Sequence, residues 1–274
     1  MPACVAPPPS PLVDQVGNPV PRRPVRRLLP LAPDVTELAF ALGAGSRVIA
    51  APPHGDYPPA AALLPRVDPG DTEAIVALRP DLVLATTAGN DPRVVTQLIR
   101  LQIPTATVDV TSCESLAAAA ELVGQLLDER ERGSALAGEM RSRCAVANGR
   151  AAVLPRRGAL YVVWWAPLVV AAPGTFHADL LERAGLTNLA PSATGRYPQV
   201  DPEVLLDARL ELVVAADEPD VRTTFANLLG QPAGVRARAG TLRVIWLPAD
   251  QVSRPGPRFP AALEALVSAR EARP

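Results

Sequence analysis

The chain has 274 residues with 32 prolines, 18 glycines, 48% apolar and 20% charged residues, and a formal net charge of −1. That length holds one large domain or two ordinary ones of roughly 100–200 residues each, and the apolar share excludes a chain disordered throughout. Near-neutral charge excludes a general polyanion binder, because displacing counterions from phosphates needs a broad basic surface; no nucleic-acid partner is expected.

All 27 basic residues are arginine, which reads as the mark of GC-rich coding. No uninterrupted apolar stretch is long enough to span a bilayer, since the nearest, Leu160 to Ala172, is broken by Pro167; a soluble protein is expected. The three cysteines, Cys4, Cys113 and Cys144, form no CxxC pair. One Cys113–Cys144 bridge is compatible with the sequence, but their scatter predicts free buried thiols. The two histidines, His54 and His177, lack metal-ligand spacing, so no protein-only metal site and no intrinsic cofactor is expected. No GxSxG elbow or other nucleophile–base constellation is present, and the chain does not read as an enzyme.

In chain order, the first ten residues lack a charged start and an apolar core and do not read as a secretory signal. Residues Pro7 to Pro24 carry seven prolines, and 1–24 is expected to be a disordered Pro-rich leader. Short apolar runs at Arg27–Leu31, Arg47–Ala50, Asp81–Thr86 and Thr105–Val110 are expected as buried strands. Asp34-Val35-Thr36-Glu37 reads as an Asp N-cap with a capping-box Glu, opening a helix that stops at Gly43. Asp91-Pro92 opens another, with Val94, Val95, Leu98 and Ile99 on one face. Two helical segments without an intervening strand follow, Cys113–Leu127 and about Asp128–Arg150. Strands are then expected at Ala159–Trp165, Glu211–Ala216 and Leu242–Leu247, with helices near Ala178–Ala184, Pro202–Ala208, Pro219–Leu229 and Arg258–Arg270. Alternating strands and helices predict an α/β fold on mostly parallel sheets.

An internal repeat sharpens this. Glu73-Ala-Ile-Val-Ala-Leu-Arg79-Pro-Asp81-Leu-Val-Leu-Ala85 aligns without gaps on Glu203-Val-Leu-Leu-Asp-Ala-Arg209-Leu-Glu211-Leu-Val-Val-Ala215, at an offset of 130 residues. A weaker echo pairs Leu42-Gly43 with Ala184-Gly185. Chance likeness of apolar helix–strand units is the plain alternative, and two related lobes the favoured reading. The expected organisation is an N-terminal α/β lobe at 25–127, a connecting backbone helix at 128–154, and a C-terminal α/β lobe at 155–274.

In such sheets ligands sit outside the carboxyl ends of the strands, which directs attention to the loops there. One lobe supplies Pro33 and Asp34, His54 and Tyr57, and Thr86 and Thr87; the other supplies Trp164, Trp165, Arg196, Tyr197, Asp250 and Arg254. Adjacent tryptophans in a strand point to opposite faces, so at most one of that pair faces a ligand, and core packing suits both equally well. A histidine beside glycine and prolines also reads as an ordinary loop residue, and His177, at a helix entrance, reads as capping or surface. Glu73 and Glu203 fall in first helical turns, where opposing the helix dipole is already a sufficient role.

The segments RLLPLAPDVTELAFALGAGSRVIA (27–50), HGDYPPAAALLPRV (54–67), EAIVALRPDLVLA (73–85), RYPQVDPEVLL (196–206) and SRPGPR (253–258) resemble the helical-backbone substrate-binding proteins of ABC importers, above all the cobalamin-binding members, over about residues 25–270. The resemblance implies two Rossmann-like α/β lobes joined by a single long α-helix, with a ligand held in an interlobe cleft and delivered to a membrane permease dimer. It implies a cell-envelope or periplasmic location and a free monomer. Glu73 and Glu203 match the positions at which such proteins present one glutamate per lobe to arginines of a dimeric permease. His54 stands where cobalamin binders have a tyrosine and Tyr197 where they have a tryptophan, while Asp250 and Arg254 fall on polar contact positions. The segment from Val67 to Glu73 lacks the family's stacking tryptophan, and Thr86-Thr87 replaces an aromatic-bearing loop. Cobalamin or a related corrinoid is therefore the leading ligand, with haem, His54 as its axial ligand, or a ferric siderophore as the alternative. An intracellular α/β enzyme acting on a cofactor-like molecule is the alternative from another class.

Overall fold

The structure is a computed structural model that describes residues 10–192, 195–228 and 238–272. Two compact units emerge: one runs through Val110 and takes in Ser115–Glu139, the other holds Thr111–Glu114 and the chain from Met140 onward.

In the first unit, strands β3 (Leu28–Pro30), β4 (Leu82–Thr86) and β5 (Thr105–Val108) form a parallel sheet in that order, with Leu29 opposite Val83 and Leu84 opposite Ala106. Every residue of β4 is buried, as expected of an apolar strand covered on both faces. Leu29, Leu31, Ile75, Val83 and Leu98 meet in its core. Helix α1 (Pro33–Ala41) follows β3, with α2 (Pro59–Ala62), α3 (Thr72–Ala77) and α4 (Pro92–Arg100) after it. Asp91 caps α4 through the Arg93 amide, and Val95 and Leu98 face inward. The stretch 47–50 is not a full strand. Gly45–Arg47 is a 3-10 turn and Val48 makes a single bridge to Leu28, because the Arg47 guanidinium is drawn to Leu127 O at 2.7 Å and to Glu129 at 2.5 Å.

The expectation of a disordered leader is corrected for its described residues. Leu12–Val13 (β1) and Pro19–Val20 (β2) form an antiparallel hairpin. The buried Asp14 carboxylate holds it, accepting from the amides of Val16, Asn18 and Thr107 at 3.1, 2.7 and 2.9 Å. Several donors to one carboxylate offset its burial, and the Thr107 bond stitches the hairpin to β5. Residues 1–9 of that leader lie outside the described residues.

The second unit carries a sheet ordered β10 (Arg243–Pro248), β9 (Leu210–Asp217), β6 (Arg157–Trp165) and β7 (Leu168–Val170), with β8 (Leu186–Asn188) also on β6. All pairings are parallel except β6–β7. Helices α7 (Phe176–Arg183), α8 (Pro219–Leu228) and the C-terminal helix Phe259–Glu271 accompany it. The expected helix at 202–208 is a 3-10 turn, Pro202–Leu206.

Helices α5 (Cys113–Leu126) and α6 (Arg130–Ala151) lie between the sheets in sequence. Cys113 and Cys144 are joined as a disulfide, correcting the expectation of free thiols. The α5 start places Cys113 among second-unit residues, where its amide donates to Asp179 at 2.9 Å and Glu114 pairs with Arg141.

The repeat has a structural counterpart in each unit. Asp71 caps α3 by accepting from Ala74 N, and Asp201 caps the 3-10 turn by accepting from Glu203 N. Gly43 and Gly185, closing α1 and α7, adopt φ of 77° and 72°, the left-handed C-cap position that favours glycine.

Candidate functional site

In the first unit the loops at the carboxyl ends of β3 and β4 are locked to each other. Asn90 Oδ1 accepts from Thr86 N at 2.9 Å while its Nδ2 donates to Leu31 O at 2.8 Å. This brings Pro33, Asp34, Thr86 and Thr87 together. Pro33 takes the first helical position of α1, so its N-cap is Ala32 and the capping box read at Asp34 and Glu37 is corrected. Both acids are buried instead. Proline is pre-set for the first turn and needs no amide partner, which moves Asp34 inside the helix.

The Asp34 carboxyl bonds to Val35 N–H and the Thr86 hydroxyl, but burial, outweighing these, pushes it up to about 6, and its Oδ2 has no partner among the described residues. A raised acid pKa means that the native state binds the proton more tightly than the unfolded chain. The resulting penalty is absent below about pH 4 and complete above the native value. Asp34→Asn is expected to raise stability at pH 7.5 by about 2–3 kcal/mol, with the gain vanishing near pH 4; urea denaturation at both pH values checks this.

Thr86 is itself buried, so it acts through Asp34 and through the Ala88 amide that its hydroxyl accepts at 3.3 Å. Thr87 is exposed and donates to Asp109. A cavity of about 460 Å³ lies beside these threonines, walled by Val16 and Asn18 of the hairpin and by Val95, Ile99 and Thr107. His54 and Tyr57 are exposed on the segment after Ala51, with His54 at φ 60°. Arg66 braces that segment, donating to Pro52 O at 3.2 Å and Gly55 O at 2.8 Å. Sequence reading missed Arg66; its place just before the buried Val67 was the available signal.

In the second unit β6 alternation separates the tryptophans. Trp165 is 1% exposed in the core, tilted against Phe225 with ring centroids 4.6 Å apart, which removes it from the candidate contacts; Trp164 is half-buried against the same core. The His177 reading is also corrected. The ring is buried, 3.9 Å from Tyr161 and 3.8 Å from Phe176 between centroids. Its Nε2 lies 2.9 Å from Val252 O and its Nδ1 3.3 Å from the Tyr197 hydroxyl. Desolvation pushes His177 down to about 3 and lifts Tyr197 to about 12, so both are neutral near pH 7. Tyr197 is 37% exposed. Arg196 and Arg254 are partly buried, whereas Asp250 is exposed and ion-paired with Arg258. Glu73 and Glu203 are exposed in the first turn of α3 and of the 202–206 turn. The described residues include no cluster of three metal-ligating side chains and no helix long and apolar enough to cross a membrane.

Residues 30–233 match the sequence pattern of the periplasmic binding protein family. The chain is 30% identical over 243 residues to the vitamin B12-binding protein of Photorhabdus laumondii subsp. laumondii, covering 88% of this chain and 86% of that protein. Among solved structures, the periplasmic vitamin B12-binding protein of Vibrio cholerae matches at a TM-score of 0.79 and 26% identity, covering 91% of this chain and 98% of that one. A periplasmic haem-binding protein from Pseudomonas aeruginosa matches at a TM-score of 0.76 and 26% identity, covering 91% and 94%. These likenesses establish an α/β solute-binding fold with two Rossmann-like units. With well over half of its length matched by that pattern, the chain belongs to the periplasmic binding protein family.

Proposed function

We propose that this protein captures cobalamin or a related corrinoid and delivers it to an ABC permease dimer at the membrane, working in the cell envelope as a binding protein without catalytic activity. The observation that carries this reading is the near-full-length likeness, in sequence and in fold, to proteins named for vitamin B12 binding. We assign the ligand contacts to the loops at the carboxyl ends of the strands: Pro33 and Thr87, with the buried Asp34 beneath them, together with His54 and Tyr57 in one unit, and Trp164, Arg196, Tyr197, Asp250 and Arg254 in the other. These combine aromatic faces, hydrogen-bonding groups and few free charges, which suits a large chelate that is apolar on its faces and amide-rich at its edge. The disulfide supports an envelope location, because such bonds form and persist in oxidising compartments. We assign docking on the permease to Glu73 and Glu203, and two lobes to 25–127 and 155–274 joined by the helical segment 128–154.

A second reading, haem as ligand, has its own support in the haem-binding structural neighbour and in the exposed His54, whose imidazole is a standard haem ligand. Titration of the purified protein with cyanocobalamin, cobinamide, haemin and a ferric hydroxamate separates the two. Saturable binding of the corrinoids alone is expected. A Soret shift with haemin that disappears in His54→Ala would transfer the assignment to haem, and binding of none of the four would overturn the transport reading.

A further inference from the structure

We infer that His177 is the positioning residue of the second unit's binding surface: its ring ties the Arg196–Tyr197 loop to the 250–254 turn and holds Tyr197 as a hydrogen-bond-donating, uncharged aromatic face rather than as a metal ligand. The part of this inference that concerns affinity rests on the corrinoid reading above.

A backbone carbonyl only accepts, so the Nε2 that lies 2.9 Å from Val252 O must carry the proton. Nδ1 is then an acceptor, and the partner 3.3 Å away, the Tyr197 hydroxyl, must donate to it. Both polar atoms of a buried imidazole are thereby used, which offsets the cost of burying it. The ring has no freedom to turn away, packed at 3.9 and 3.8 Å against Tyr161 and Phe176 and meeting Tyr197 edge-on at 5.7 Å. Among the described residues, Val252 O and the Tyr197 hydroxyl are the hydrogen-bond partners of the two ring nitrogens.

What the ring joins matters more than how it is held. Arg196 and Tyr197 lie on a loop whose backbone is already stitched down, Ala172 N donating to Arg196 O at 3.0 Å and Val170 N to Pro198 O at 3.1 Å. Those bonds fix the loop's path but not the direction of the Tyr197 side chain, which the His177 bond sets. At its other edge the ring grips Val252, the end of the short helix Ala249–Val252, between Asp250 and Arg254. One buried side chain therefore braces both loops that carry four of the assigned contacts.

The bond also decides what chemistry Tyr197 offers. A phenolate oxygen is a haem-iron ligand, but here the phenol keeps its proton and directs it at an imidazole. Desolvation opposes ionisation further, lifting the phenol to about 12. The half-exposed ring presents its face to a bound chelate, and selection by this unit favours a coordinatively complete macrocycle over an iron complex that needs a phenolate.

The test is a double-mutant cycle on cyanocobalamin affinity combined with a ligand-free measurement. His177→Phe and Tyr197→Phe are each expected to weaken binding about tenfold, and the double variant about tenfold as well rather than a hundredfold, because both act through one bond. Unchanged affinity in Tyr197→Phe, or losses that multiply in the double variant, would overturn the inference. Tyr197→Phe leaves the buried ring in place, so it remains decisive if His177→Phe fails to fold. Nitrogen-15 spectra of the ligand-free protein are expected to show His177 neutral with the proton on Nε2 between about pH 5 and 8, and its Nδ1 resonance shifted in Tyr197→Phe. A protonated ring or an Nδ1–H tautomer overturns the inference even if the wild-type protein binds no corrinoid, an outcome that would defeat the functional reading separately.

Discussion

Replacing Cys113 and Cys144 together by alanine is expected to lower folding stability by about 3–4 kcal/mol, the loss that chain-entropy arguments assign to opening a loop of this size. The bridge spans a sequence separation of 31 residues, and both side chains are almost completely buried, at 2% and 1% exposure. It fixes the first residue of α5 to the middle of α6, where the Glu114–Arg141 ion pair and the Cys113 N–H bond to Asp179 already converge. Those polar contacts are weak substitutes, since Glu114 and Arg141 are substantially exposed and such pairs contribute ~0–1 kcal/mol. Guanidinium denaturation of the wild type with and without reductant, beside the double-alanine variant, checks this. Reduced wild type and variant should unfold at the same lowered midpoint; an oxidised wild type no more stable than the variant would show that the bridge contributes nothing.

Reversing both glutamates, Glu73→Arg with Glu203→Arg, is expected to reduce permease-dependent uptake by at least roughly a hundredfold, because facing like charges at an interface costs several kcal/mol. Cyanocobalamin affinity should stay within about twofold of the wild type, since neither residue is among the assigned ligand contacts. Both side chains are exposed and follow an N-cap aspartate by two residues, Asp71 in one unit and Asp201 in the other. Loss of the favourable helix-end charge accounts for only ~0.3–1 kcal/mol of stability at each position, too little to unfold the protein. Transport in proteoliposomes containing the permease, paired with equilibrium binding, separates the outcomes. Normal uptake by the doubly reversed variant would remove these residues from the docking surface, and a parallel fall in ligand affinity would move them to the ligand site.

Much of the architecture was legible because it is written in local patterns. The apolar runs within β4 and β9, the Asp91-Pro92 start of α4 and the helix-ending Gly43 and Gly185 each signal their structure within a few residues. The repeat made the two Glu-bearing turns visible as equivalents. What escaped depends on partners far along the chain. Asp14 orders a proline-rich segment by reaching Thr107, 93 residues away, and composition alone cannot show a buried carboxylate acquiring such donors. Cys113 and Cys144 meet only because α5 and α6 run back along each other. His177 looked like a surface residue because two of the rings around it, Tyr161 and Tyr197, come from β6 and the 197 loop. Asp34 was misjudged for a local reason: Pro33 competes for the start of the helix and wins. Trp165 lost its candidate role to strand alternation, a rule that said one of the pair must turn inward without saying which.

The composition of the two units bears on how the chain is made. Residues 111–114 belong with the second unit although they precede Ser115–Glu139, which belong with the first. A ribosome or translocon delivering the chain from its N-terminus therefore releases part of the second unit before the first is complete. The first sheet has all its strands once Val108 has emerged, yet its helical complement arrives only with Glu139, and Cys113 must wait for Cys144. Neither unit corresponds to an unbroken stretch of gene. A cut at any single codon leaves at least one unit without residues that pack in it, so expressing the halves separately is expected to yield fragments that need each other to fold.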